Sequence, residues 1–164
     1  MVKAYFAACE PFFPQQRGEL RRVALALCRG GVDTMEQLAY LAVKANEGTL
    51  HSLGDYYILI NNIDLSDHRW VPIGRGTSIE SKYFDGYFNG MGKTITGLYV
   101  DESTDGYLAG LFGLLTGQVT DLTIEGAYVK TAGSNSSAGI LAGKIFNSGT
   151  KVTNCHVSGT VEGD

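Results

Sequence analysis

Proline and cysteine are both scarce in this chain. Cys9, Cys28 and Cys155 are odd in number, widely spaced and free of any C-x-x-C pair, so neither a zinc site nor a disulfide framework is indicated. No apolar run approaches the ~20 residues of a membrane span. A secretion signal is poorly supported, because the apolar stretch Ala4 to Cys9 ends at Glu10 and Pro11. That falls short of the ~7–15 residues of a signal core. Phe6-Ala7-Ala8-Cys9 only faintly matches a lipoprotein cleavage box. His51, His68 and His156 are scattered without acidic or thiol partners at metal spacing, so no metal centre is expected. No cofactor and no catalytic set is expected either.

Positive charge is also short where a nucleic-acid partner would need it. Residues 1–32 carry five Lys/Arg against two Asp/Glu, a net of +3, while residues 33–164 carry eight against fifteen, a net of −7. Phosphate-backbone binding rests on clustered Lys/Arg, and the body of the chain is acidic.

Glycine is what the chain has in plenty. Of 22 glycines, 19 lie between Gly48 and Gly163, against only three prolines in the whole chain. That balance suits many tight turns rather than flexible linkers. Hydrophobic residues at 44% and a mean hydropathy near zero exclude wholesale disorder.

An internal repeat organises these glycines. Gly106-Tyr107-Leu108-Ala109-Gly110 matches Gly139-Ile140-Leu141-Ala142-Gly143 at an offset of 33. Val119 to Gly126 matches Val152 to Gly159 at the same offset. A weaker copy lies upstream at Ile95 to Val100, with Ile95 aligned on Val119. A period in this range marks a unit that must stack on its neighbours to bury its apolar face.

The residues divide into three stretches. Residues 1–32 form a compositionally distinct leader, in which Glu19 to Cys28 could make a short helix ended by Gly30-Gly31. The spacing predicts a helix over residues 33–47, capped by Asp33 or Thr34 with Glu36 or Gln37 as reciprocal partner. Leu38, Leu41, Ala42 and Ala45 give it an apolar face suited to covering the open end of a first coil. From Tyr56 onward short β runs alternate with Gly, Asn and Asp.

Without a second helical pattern between copies, these runs predict a parallel β-helix, with an antiparallel sandwich as the competing fold. Leu98, Val100, Leu122, Ile124, Cys155 and Val157 should form its stacked interior. Asn154 aligns with Asp121, as in a turn ladder. Val157 to Asp164 break off in mid-repeat, so further repeats or a partner chain are expected over that end.

Several motifs invite a chemical reading. Gly90-Met91-Gly92-Lys93-Thr94 ends like a phosphate loop, but Tyr87 stands where the first glycine belongs and a strand follows instead of a helix. Asp101-Glu102-Ser103-Thr104-Asp105 reads as a solvated acidic turn, with weak calcium binding as the alternative. Asp64, Asp67, Arg69 and Asp85 invite comparison with polysaccharide-cleaving β-helices, though Asp64 suits turn hydrogen bonds better. Trp70, with Tyr56, Tyr57, Tyr83, Tyr87 and Tyr99, could stack against sugar rings, the alternative being that Trp70 packs under the first coil with Pro72 and Ile73. Trp70, Asp64, Asp85 and Tyr87 are therefore the ligand-face candidates.

Residues 34–164 resemble bacterial solenoid modules carrying the GLUG motif. The resemblance rests on Asn62-Ile63-Asp64-Leu65-Ser66, Trp70-Val71-Pro72-Ile73-Gly74, and Phe84-Asp85-Gly86-Tyr87-Phe88-Asn89-Gly90 running on to Leu98. Gly110-Leu111-Phe112-Gly113 and Gly139 to Gly143 resemble its glycine repeats. Asn89, Met91 and Lys93 depart from the family's Asp, Asn and His, removing polar groups from any carried-over site.

The resemblance implies a right-handed parallel β-helix in an adhesin-like, secreted or cell-surface setting, without catalysis. Glycans or surface proteins are the partners it implies. A carbohydrate-binding or polysaccharide-cleaving β-helix, and a phage or mobile-element structural protein, are the alternative functions.

Overall fold

The computed structural model describes residues 31–48, 55–77, 82–103 and 106–163. The predicted helix at Glu19–Cys28 and the residues Cys9, Cys28 and His51 lie outside them. In chain order the elements are β1 (Gly31–Val32), α1 (Met35–Asn46), β2 (Tyr56–Leu59), β3 (Ile63–Asp64), β4 (Tyr87–Asn89) and β5 (Thr94–Thr96). Then come β6 (Tyr99–Glu102), β7 (Leu108–Ala109), β8 (Phe112–Leu115), β9 (Gln118–Thr120) and β10 (Thr123–Thr131). The last are β11 (Ser137–Ala138), β12 (Ala142–Ile145), β13 (Lys151–Thr153) and β14 (His156–Glu162).

These strands wind into a mainly β solenoid of about four turns. One wall runs β1-β2-β4-β9-β13, and a second runs β14-β10-β5-β3, with β6 also paired to β10. The third is β8 on β12, with β7 on β11 beside it. Every pairing between named strands is parallel, which disposes of the sandwich.

Because strands pair in register, side chains line up in columns from turn to turn. Tyr57, Phe88, Val119 and Val152 form one inward column. Ile63, Ile95, Ile124 and Val157 form another, and Val100, Val129 and Val161 a third. Phe84 and Phe112 pack at 5.2 Å between ring centres, with Phe88 edge-on to Phe112 at 5.7 Å. Trp70 donates its indole N–H to the Leu111 carbonyl at 3.0 Å from inside this core.

Leu98, Val100, Leu122 and Ile124 are buried as expected. Cys155 is half-buried, and Val157 is 49% exposed despite occupying an inward column, because its column ends there. Val152 and Val161 are exposed for the same reason.

The repeat is real but its period is not fixed. The step from Tyr57 to Phe88 equals the step from Phe88 to Val119, whereas the step from Val119 to Val152 is longer. The Val119/Val152 alignment is in register, but the Gly106/Gly139 alignment is not. Instead Ala109 pairs with Ala138 and Phe112 with Ala142, so Gly110–Gly113 stacks on Gly139–Gly143. Ile95 likewise pairs with Ile124 rather than with Val119. Backbone approach enforces that register: a Cβ on Gly110 would sit 2.5 Å from the Gly139 carbonyl oxygen.

Val119 to Gly126 and Val152 to Gly159, each matched as one unit in the sequence, both span two strands bent at a corner. Asp121 and Asn154 hold positive φ of 53° and 52° there, where their short polar side chains tolerate the left-handed conformation. Asn154 donates to the Asp121 carboxylate at 2.6 Å, forming the expected ladder.

Helix α1 starts where its cap predicts. Thr34 Oγ1 accepts from the Gln37 amide at 3.3 Å, and Gln37 Oε1 accepts from the Asp33 amide at 2.5 Å. Leu38, Leu41, Ala42 and Ala45 are buried within the same cluster as the solenoid core. Asn46 ties the helix end to a lower loop, donating to the Pro72 carbonyl and accepting from the Arg75 amide. Gly31 and Val32, assigned by composition to the leader, pair with Ile58 and Leu59 in the first wall.

Candidate functional site

The ligand-face candidates do not converge. Trp70 is only 1% exposed, so it belongs to the core and offers no face to a sugar. Asp64 is exposed but occupied locally: its carboxylate accepts from the Ser66 amide at 2.9 Å and from the Ser66 hydroxyl. Those bonds, the hydroxyl's first, hold the Asp64 carboxyl below the usual carboxylate range. Only Asp85 and Tyr87 meet, along a shallow recess with Thr116 and Asn147.

The other motifs also resolve locally. Gly90 to Lys93 makes a tight corner, with Met91 and Gly92 at positive φ and strand β5 following. Asp101 and Glu102 lie in strand β6 instead of a solvated turn, while Thr104 and Asp105 lie outside the described residues. Glu102 is 3% exposed and ion-paired to Arg75, so it is not presented to a solvent cation. Among the described residues no group of three His, Cys, Asp or Glu could hold a metal ion. His156 faces outward opposite Thr123.

A lateral cleft of about 650 Å³ opens among the described residues. It follows from the register of the third wall. Phe84, Leu115 and Ile145 form an inward column there, linked by a parallel bridge and by strand pairing. The residues on either side of each then face outward. One outward column is Tyr83, Leu114 and Lys144; the next is Asp85, Thr116 and Phe146.

Leu108 and Leu114 make the apolar floor, and Tyr83 and Phe146 stand at the sides with 47% and 63% exposure. Asn135, Ser137 and Asn147 supply amide and hydroxyl groups around the rim. Lys144 Nζ lies 5.6 Å from the centre of the Phe146 ring, within cation–π range.

Of the residues singled out from the sequence, Asp85 and the stacking candidate Tyr83 line this cleft, whereas Phe146, Lys144 and Asn147 were not singled out. Tyr83 and Phe146 are far apart in the chain, and only the actual turn lengths bring them together. The usable signal was an aromatic next to an inward-column residue in two non-adjacent turns. It is legible only once the register is known.

No family model matches the sequence, and comparison with curated proteins and with solved structures returns no match. The class of protein is set by the fold alone: a parallel β-solenoid.

Proposed function

We propose that this chain is a non-enzymatic repeat module of a bacterial surface or secreted protein, serving adhesion or spacing. The reading takes the solenoid as right-handed and α1 as the cover of its first turn. The observation that carries it is that exposed side chains stack from turn to turn as the buried ones do. Tyr56 lies on Tyr87 at 6.1 Å and Tyr99 on Tyr128 at 5.7 Å, so outward rings repeat from turn to turn on two lateral faces. Such faces suit glycans or surface proteins as partners. Val152, Val157 and Val161, exposed at the ends of inward columns, suit further turns or a partner chain laid over them.

The competing reading is a polysaccharide-cleaving β-helix. Asp64 and Glu102 are tied to Ser66 and Arg75, and Asp85 is the one carboxylate among the described residues of the cleft. Cleavage by a carboxylate pair needs a second carboxylate within reach, and the cleft's other ionisable side chains are Lys144 and Tyr83.

Two assays on the purified chain separate these readings. Cell-binding cytometry should show retention on bacterial or host cells, and a reducing-end assay across a polysaccharide panel should stay at background. Sustained release of new reducing ends would replace this reading with the enzymatic one. A trimer on gel filtration would favour the mobile-element structural alternative.

A further inference from the structure

We propose that the cleft between Tyr83 and Phe146 is a binding site for a linear, uncharged oligosaccharide lying along the solenoid axis. This deepens the adhesion reading and rests on it, naming a ligand class and a place.

The direction comes from the register. The cleft takes Tyr83 and Asp85 from one turn, Leu108, Leu114 and Thr116 from the next, and Lys144 and Phe146 from the last. It therefore crosses about two strand spacings, on the order of 10 Å, parallel to the axis. Its volume of about 650 Å³ falls in the ordinary range for a small-molecule site. A groove of that length suits a short chain of rings more than a single ring.

The class of ligand comes from the chemistry of the lining. Sugars present apolar C–H faces and hydroxyl edges together. Two exposed aromatic rings over a leucine floor meet the faces, and the Asn135, Asn147 and Ser137 side chains meet the hydroxyls. Exposed aromatics flanking a groove have an energetic reason to wait for a partner, since burying them releases water from both surfaces.

Charge narrows the choice. Asp85 and Lys144 contribute one charge of each sign, so the cleft has no net preference for an anionic chain. The acidic body disfavours a nucleic acid.

A peptide adding itself as a strand is disfavoured as well. The backbone beneath the cleft is already paired: the Leu114 amide donates to the Gly74 carbonyl at 3.0 Å and the Thr116 amide to the Phe84 carbonyl at 2.9 Å. The Phe146 amide donates to the Leu115 carbonyl at 3.0 Å. Recognition there must come from side chains, whereas strand addition needs a free edge.

The test is an amide NMR titration of the full ¹⁵N-labelled chain with cellohexaose, laminarihexaose and chitohexaose, and with oligogalacturonate as the anionic comparison. At least one neutral probe should shift amides clustered at Tyr83, Asn135, Lys144 and Phe146. Tyr83→Ala and Phe146→Ala should each weaken that binding about tenfold. Tyr99→Ala, on another wall, should leave it unchanged. Both target rings are well exposed, so their removal leaves the core intact.

No shift with any neutral probe, shifts clustered elsewhere, or preference for oligogalacturonate would overturn the site. Cell binding by the unaltered chain keeps the two questions apart. If it persists while all the neutral probes fail, the cleft assignment falls and the adhesion reading stands. If oligosaccharides bind in the cleft and new reducing ends appear, the ligand class stands and the non-enzymatic reading falls.

Discussion

The guanidinium of Arg75 grips both carboxylate oxygens of Glu102, Nε to Oε1 at 2.7 Å and Nη2 to Oε2 at 2.9 Å. The carboxylate is 3% exposed, while the Arg75 side chain is 32% exposed and stacks 3.9 Å from the centre of the Tyr107 ring. The Glu102 carbonyl, meanwhile, accepts from the Thr131 hydroxyl at 3.2 Å on the following turn. The pair thus joins the loop held by Asn46 of α1 to strand β6 and, through it, to β10. Hydrogen bonding to Glu102 raises the Arg75 pKa further, so the cation persists at any working pH.

Removing the cation should therefore be costly in a particular way. Arg75→Leu leaves a buried carboxylate without its partner and should cost about 2–3 kcal/mol, below the full buried-pair figure because Arg75 is partly solvated. The double change Arg75→Leu with Glu102→Leu should recover much of that loss. Urea unfolding midpoints measure both. A double variant no more stable than Arg75→Leu alone would show that the pair matters as packing, not as charge.

Leu122 tests the stacked core. It is 1% exposed, just after the corner residue Asp121 and just before strand β10. Leu122→Asp places an unpaired charge between apolar layers, a cost comparable to the whole stability of a domain this size. Loss of the cooperative thermal transition is expected, with Leu122→Ala retaining it at a cost of about 3 kcal/mol. A soluble Leu122→Asp protein that melts cooperatively would refute the stacked-core account.

Cys155 should behave as a muffled thiol. Burial, the largest influence, raises its pKa above the ordinary thiol value, outweighing hydrogen bonds that favour the thiolate. A raised thiol pKa favours the protonated form, so this group supports the fold below the ordinary thiol range. That support is lost as pH climbs through the folded-state value. With Cys9→Ser and Cys28→Ser in the background, a disulfide reagent at mildly alkaline pH should react about tenfold more slowly in the folded protein than in urea. Equal rates would mean the last turn opens freely.

How far the sequence could carry this structure depends on what kept each residue in place. Helix α1 was legible almost to its ends because its cap and its helical periodicity are local signals. The Leu122 and Ile124 pattern was legible because alternation along a strand needs no knowledge of its neighbour. The pairing of Gly110 with Gly139 was not, because turn length varies along the solenoid and a repeat search with one offset slides past it.

Strands β7, β8, β11 and β12 hid for a related reason. They are two to four residues long and contain or adjoin Gly110, Gly113, Gly139 and Gly143, where neighbouring turns approach closely through the backbone. Trp70 reads as a possible surface because an indole's partner, here a carbonyl 41 residues away, leaves no trace in local sequence. The cleft was invisible for the same cause, since register alone brings Tyr83 and Phe146 to one groove.

The corner ladder gives the sharpest separation of backbone from side-chain effects. Asn154 sits at φ 52° and donates to Asp121 at 2.6 Å, both in exposed or partly exposed positions. Asn154→Ala loses the hydrogen bond and also forces an alanine into the left-handed region, for an expected total of about 1.5–2 kcal/mol. Asn154→Gly loses the bond but relieves the backbone, so it should cost under about 1 kcal/mol. The difference between the two, read from urea midpoints, is the conformational part. If alanine and glycine prove equally costly, the ladder bond carries the corner and the backbone geometry is incidental. If both are neutral, the corner is held by the paired strands on either side and the ladder merely rides on it.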